Sequence, residues 1–125
     1  MTHTKFYING EWVDPVAPET LDVINPATEE AVATISVGSA GDIDKAVAAA
    51  RAAFPAHAAR SVKERVEMVT EIREVYKKRF DDIADAIQTE MGAPTYLARG
   101  AQASVGLGHL KAAIRSLENH KFEYE

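Results

Sequence analysis

Apolar residues in this chain change period once. In the first third they alternate with polar ones, the two-residue period of a half-buried strand. "KFYINGEWV", Lys5 to Val13, alternates around Asn9-Gly10, two residues that tolerate positive φ, which predicts a tight hairpin with Phe6 and Ile8 on one face. The two prolines of "DPVAPE" predict a spacer. "TLDVI" and "EEAVATISV" predict a second hairpin, reversed at Asn25-Pro26-Ala27-Thr28 because Pro26 fixes its own φ and keeps Asn25 extended. From about Asp42 the apolar residues recur by threes and fours. Ser39 and Asp42 have the spacing of a capping box, and Ile43, Val47, Ala50 and Phe54 form one stripe of a first helix that Pro55 should end or just follow. Ser61 and Glu64 cap a second helix. Its stripe runs through Val62, Val66, Val69, Ile72, Tyr76, Phe80, Ile83 and Ile87 to Met91, about 45 Å at 1.5 Å per residue, and Gly92 and Pro94 close it. A third helix follows Pro94 to about Leu117, with Ala103, Leu107, Leu110, Ile114 and Leu117 in phase. Gly100, Gly106 and Gly108 lie inside it. Each costs about 1 kcal/mol relative to alanine, so close approach of another backbone is expected there.

Composition narrows the class. A chain of 125 residues, 46% hydrophobic and 26% charged, suits one ordinary globular domain. The net charge of −5 and the lack of a basic run interleaved with aromatics argue against nucleic acid as a partner. Lys77, Lys78 and Arg79 are followed at once by Asp81, Asp82 and Asp85, so a solvated helix face is favoured over a phosphate site. With no cysteine, the chain has no disulfide, thiolate metal site or thiol nucleophile, which fits a cytoplasmic protein. No run of about 18 apolar residues predicts a membrane span, and the first residues lack a secretory apolar core.

Candidate chemistry is thin. "GLGHLK", Gly106 to Lys111, has Lys111 where a dinucleotide fingerprint needs its third glycine, and it lies within a helical pattern, so helix packing is the better reading. "GSAGDIDKA" lacks the ending of a phosphate loop and reads as a helix start. His3, His57, His109 and His120 have no i, i+4 pair among them, which disfavours a metal site. No G-x-S-x-G elbow is present, and Asp81 and Asp85 sit on a polar helix face where carboxylates are usually solvated. The residues describe a scaffold without a reactive centre. Its continuous apolar stripes and few strands imply a large exposed apolar surface unless something covers it.

Five motifs then carry a resemblance: "FYINGEWV", "VINPATEEAVATI", "DIDKAVAAARAAFPA", "SVKERVEMVTEI" and "IQTEMGAP". In this order and spacing they resemble the amino-terminal part of an NAD(P)-dependent aldehyde dehydrogenase, over nearly the whole chain. The fold this implies is an α+β fragment, two antiparallel β-hairpins and three α-helices. It would be the outer part of a Rossmann-like cofactor domain, with 1–37 the hairpins and 38–125 the helical part of a partial domain 1–125. The resemblance also implies a parent roughly four times this length. In that parent a cysteine attacks the aldehyde, hydride passes to NAD or NADP, and a glutamate activates the deacylating water. Those groups would lie downstream, so no catalytic or cofactor-binding residue is assigned here and no cofactor is expected on this chain alone. One family site reaches this region: a structural monovalent cation, held by the backbone carbonyls of Val23 and Ile24 and by Glu90, with a further carbonyl from elsewhere. Two positions depart from the pattern. His57 stands where the family often has tryptophan, and Ala93 stands before Pro94 where many members have lysine. The expected partner is the remainder of the parent enzyme, or a second copy met through the apolar helix faces, with no nucleic acid and no membrane. The alternatives are a short helical assembly module and a small hydrolase with an unrecognised serine site.

Overall fold

A computed structural model describes residues 2–124. They divide into two compact units, one up to Ala59 and one from Arg60.

The first unit holds the strands and one helix. Strands β1 (Thr2–His3), β2 (Phe6–Ile8), β3 (Glu11–Val13), β4 (Thr20–Asn25) and β5 (Glu30–Ser36) precede helix α1 (Ala40–Ala58). β2 and β3 form the hairpin around Asn9-Gly10, with φ of 54° and 83° at the turn. Such a turn matches the twist of the strands it joins. Phe6 and Ile8 are half-buried, while Tyr7 and Trp12 meet on the outer face with ring centroids 5.2 Å apart. β4 and β5 form the second hairpin. Its reversal is one residue longer than expected. The Asn25 side chain accepts the Ala27 N–H at 2.8 Å, the Asn25 carbonyl accepts the Glu29 N–H at 2.8 Å, and Glu29 is left-handed at φ 61°. β1, which the sequence pattern did not reveal, pairs parallel to β5 and makes a three-stranded sheet in the order β1-β5-β4. Two residues are too short for any period to register.

Ser39 caps α1, and the capping box with Asp42 is closed in both directions. Pro55 does not end the helix, contrary to expectation. It sits in the last turn, where its carbonyl still accepts the Ala59 N–H at 3.1 Å. A proline this close to the end removes only one bond, the one to the Arg51 carbonyl, which lies on an exposed residue.

The second unit is helical. The single helix expected from Ser61 to Met91 is two, α2 (Val62–Lys78) and α3 (Phe80–Met91), parted by Arg79. Arg79 adopts φ −105° and ψ 17°, and its N–H is shared between the carbonyls of Val75 and Tyr76, 3.1 Å from each. Lys77 and Lys78 end α2, and Asp81 and Asp82 open α3. Each charge complements the helix end it stands on, which favours a break between them. Gly92, at φ 65°, closes α3. The third helical stretch is also interrupted. A short α4 (Thr95–Leu97) passes into a wide π-turn (Ala98–Gln102) and then into α5 (Ala103–Asn119). α5 packs chiefly against α2, with Leu107, Leu110, Ile114 and Leu117 half-buried. Among the described residues the buried apolar ones are all small: Ala84, Ala98 and Ala103. Among the described residues no large side chain is fully buried, whereas Ile43, Phe54, Ile72, Val75 and Met91 are at least half exposed.

Only one of the three glycines in this stretch has the close neighbour expected, and it is a side chain rather than a backbone. A Cβ at Gly106 would stand 2.3 Å from the Tyr76 Oη, while Gly100 and Gly108 face open space.

Candidate functional site

Val23 and Ile24 lie side by side on β4, one of the two outer strands of its sheet. The pairing shifts register between them: Val23 faces Ala33 and Ile24 faces Ala31, so β5 carries one extra residue and a bulge at this point. An outer strand leaves the carbonyls of one edge without a strand partner. Glu90 belongs to the other unit, one residue before the end of α3. It is exposed and makes no ion pair among the described residues. Backbone carbonyls and carboxylates are the kinds of oxygen donor a hard cation takes.

Among the described residues three carboxylates and one guanidinium are electrostatically perturbed. Asp42 is the one buried charged residue among those described. It accepts the Ser39 hydroxyl at 2.7 Å, the Ser39 N–H at 2.9 Å and, from 26 residues away, the Val16 N–H at 2.9 Å. The Ser39 hydroxyl, then its N–H and that of Val16, hold the carboxyl below its ordinary value of 3.8. Its bond to Val16 straps the proline-rich spacer onto the start of α1, where Val16 also rests on Gly41. Glu64 is lowered in the same way by Ser61, and Glu74 by Lys77. Arg99 is raised, first by its hydrogen bond to Asp81 and further by Asp85. The sequence had shown the two caps but not the long-range partners: nothing in local spacing ties Val16 to Asp42 or Arg99 to Asp81. Asp81 and Asp85 are exposed, as expected of a solvated face, and both also pair with Arg99.

The hydroxyls that Asp42 and Glu64 accept, those of Ser39 and Ser61, are helix caps. A hollow of about 390 Å³ between the first hairpin and α1 is lined by Tyr7, Ile8, Asn9, Gly10 and α1 alanines, without a titrating acid or base beyond the Tyr7 phenol. A second, of about 370 Å³, lies in the elbow of α2 and α3 among Ile72, Val75, Tyr76 and Ile83, with Arg79 and Asp82 at its rim. That pair is joined at 3.0 Å. Among the described residues no group of three or more histidines and carboxylates could hold a metal ion. No helix of the described residues is long and apolar enough to cross a membrane.

The scaffold has clear relatives. The model of the "Aldehyde dehydrogenase family" matches residues 12–124. A Staphylococcus haemolyticus protein with an aldehyde dehydrogenase name is 44% identical over 121 residues, which are 97% of this chain and 26% of that protein. The crystal structure of an aldehyde dehydrogenase from Bartonella henselae superposes with a TM-score of 0.95 at 45% identity, over 98% of this chain and 26% of that one. Aldehyde dehydrogenase C of Pseudomonas syringae, solved with NAD+ and octanal, gives 0.94 at 41% identity, over 98% and 25%. The chain thus spans about a quarter of the length of the relatives it matches. Matched over residues 12–124 by the family model, the chain belongs to the aldehyde dehydrogenase family and corresponds to an amino-terminal segment of it.

Proposed function

We propose that this chain serves as the leading, outer part of the cofactor-binding domain of an NAD(P)-dependent aldehyde dehydrogenase and performs no chemistry alone. Residues 1–37 supply the hairpins of that part and 38–125 its helices, and the cytoplasm is its compartment. The observation that carries this reading is the close superposition of nearly the whole chain on a quarter of a solved aldehyde dehydrogenase. In a whole enzyme the nicotinamide accepts the hydride of the aldehyde. A cysteine nucleophile, which the family uses, cannot come from this chain, because the chain has none. Its own residues clad and brace. Asp42 straps the spacer to α1, Arg99 ties the π-turn to α3, and the Val23 and Ile24 carbonyls with Glu90 contribute to a structural monovalent cation site. The exposed stripe of Ile43, Val47 and Phe54 on α1 favours an apolar partner. That partner is the remainder of the parent enzyme or, for the chain by itself, a second copy.

The test is enzymatic and hydrodynamic. Pure 125-residue protein with NAD+ or NADP+ and a panel of aldehydes is expected to give no reduced nicotinamide, and turnover by this material would overturn the reading. Sedimentation is expected to show self-association that a co-expressed complementary segment of a relative replaces with a one-to-one complex. A monomer that ignores that segment would count against both partners. Thermal stability is expected to rise in sodium or potassium relative to a bulky organic cation in the complex, and Glu90→Gln is expected to abolish the difference.

A further inference from the structure

The helical stretch after Pro94 contains a turn one residue too wide and an arginine that grips two carboxylates. At the end of the π-turn the Ala103 N–H donates to the Ala98 carbonyl, five residues back. In an α-helix that N–H would go to the Arg99 carbonyl. The Ser104 hydroxyl donates to Arg99 instead, at 2.9 Å. The width has a purpose in packing. Residues five apart stand about 140° from one another around an α-helix. A wider turn brings them nearer one line, and here Ala98 and Ala103 are both completely buried.

Two sets of contacts depend on the same register. Arg99 leaves the π-turn toward α3, where its guanidinium donates to Asp81 and, at 2.8 Å, to Asp85. Those carboxylates are four residues apart on one face of α3, and the rigid guanidinium fork meets them with two separate N–H groups. Beyond the turn, the Tyr76 hydroxyl donates to the Ala103 carbonyl at 2.8 Å, and its ring end lies over Gly106. Narrowing the π-turn to α geometry would rotate α5 by about 100° relative to Thr95–Leu97. Ala103 and Gly106 would then leave Tyr76.

We propose that residues 98–102 form a charge-locked register device: the Arg99 grip on Asp81 and Asp85 holds the wide turn, and the wide turn seats α5 beneath Tyr76. The lock is open to solvent, since the Arg99, Asp81 and Asp85 side chains are 39%, 77% and 65% exposed. Salt therefore reaches it. The seating of α5 on α2 is thereby placed under the control of charge on an outer face of α3.

The test is amide exchange and chemical shift on the isotopically labelled 125-residue chain. Arg99→Met is expected to speed exchange of the Ala103 amide about fivefold, the scale of a well-formed exposed ion pair, and to move the Gly106 resonance as the Tyr76 ring departs. Raising salt to about 1 M, where the screening length falls to about 3 Å, is expected to do the same to the unaltered chain and nothing further to Arg99→Met. Arg99→Lys, which keeps the charge without the fork, falls between. Unaltered exchange and an unmoved Gly106 in Arg99→Met overturn the proposal, as does faster exchange confined to residues 98–103 with Gly106 unmoved. Should Arg99→Met fail to fold, Asp85→Asn, which removes one arm only, decides: change at both positions supports the lock, and change at neither, or at one alone, rejects it.

Discussion

Gly106 and Gly108 lie two residues apart on α5, yet the same substitution is expected to act on them with opposite sign. A Cβ at position 106 would stand 2.3 Å from the Tyr76 Oη and 2.5 Å from its Cζ, distances that no side chain tolerates. Tyr76 must therefore swing away. It loses its 2.8 Å hydrogen bond to the Ala103 carbonyl, about 1 kcal/mol, and the forced repacking of a filled contact costs about 1–3 kcal/mol. The gain in helix propensity from glycine to alanine is about 1 kcal/mol. Gly106→Ala is thus expected to destabilise by about 2 kcal/mol. At Gly108 nothing lies within 4 Å, so only the propensity gain operates, and Gly108→Ala is expected to stabilise by up to about 1 kcal/mol. Urea unfolding followed by the helical circular dichroism signal measures both as shifts of midpoint at constant slope. The Tyr76→Leu background, which lacks the overlapping ring end, supplies the control: there Gly106→Ala is expected to turn stabilising. If both alanines stabilise equally in the unaltered chain, Tyr76 is not seated on Gly106 and the register argument fails with it.

The turns offer a second pair of opposite signs. Gly10→Ala, at φ 83°, is expected to weaken the first hairpin by about 1 kcal/mol, and Glu29→Gly, at φ 61°, to strengthen the second by somewhat less than about 1 kcal/mol, both by urea unfolding. Pro55→Ala restores a donor to the last turn of α1 and is expected to stabilise it by about 1–2 kcal/mol, once the lost restriction of the unfolded chain is set against the regained bond; a scan of thermal midpoints detects it. Asp42 is held below 3.8 in the folded chain, first by the Ser39 hydroxyl. Its contribution is therefore complete above that value and lost as pH falls through the lower folded value. The unaltered chain is expected to lose stability on acidification below about pH 4 more steeply than Asp42→Asn. Glu64 and Glu74 act in the same direction in both proteins and cancel in the difference; parallel pH profiles would refute the strap.

What the sequence made legible was whatever repeats at short range. The Asn9-Gly10 hairpin, the Ser39/Asp42 and Ser61/Glu64 caps and the inward phase of α5 are all encoded within a few residues, and each is present. The longer β4–β5 reversal was half visible. Pro26 marked it, but the left-handed residue is a glutamate, which no turn preference announces. The proposed cation ligands could come only through the family resemblance, because the role proposed for Val23 and Ile24 is through their carbonyls, and side-chain patterning says nothing of those.

The helix interruptions show how far periodicity reaches. Arg79 breaks the chain between α2 and α3 without disturbing the steps of three and four that run through Tyr76, Phe80, Ile83 and Ile87, so a stripe alone cannot reveal it. Charge could have: two lysines followed within a few residues by two aspartates is the end of one helix dipole and the start of another. The π-turn does leave a trace. The stripe of α5 begins at Ala103, and stepping back three or four residues from it reaches Gly100 and Arg99, not an apolar residue. The next buried position is Ala98, at a step of five that no α-helix accommodates on one face. A stripe whose phase fails over a single turn, while the residues on both sides of that turn remain apolar, therefore marks an inserted residue rather than a helix end. In this chain the residue caught in the insertion is the arginine that finds two carboxylates on the neighbouring helix.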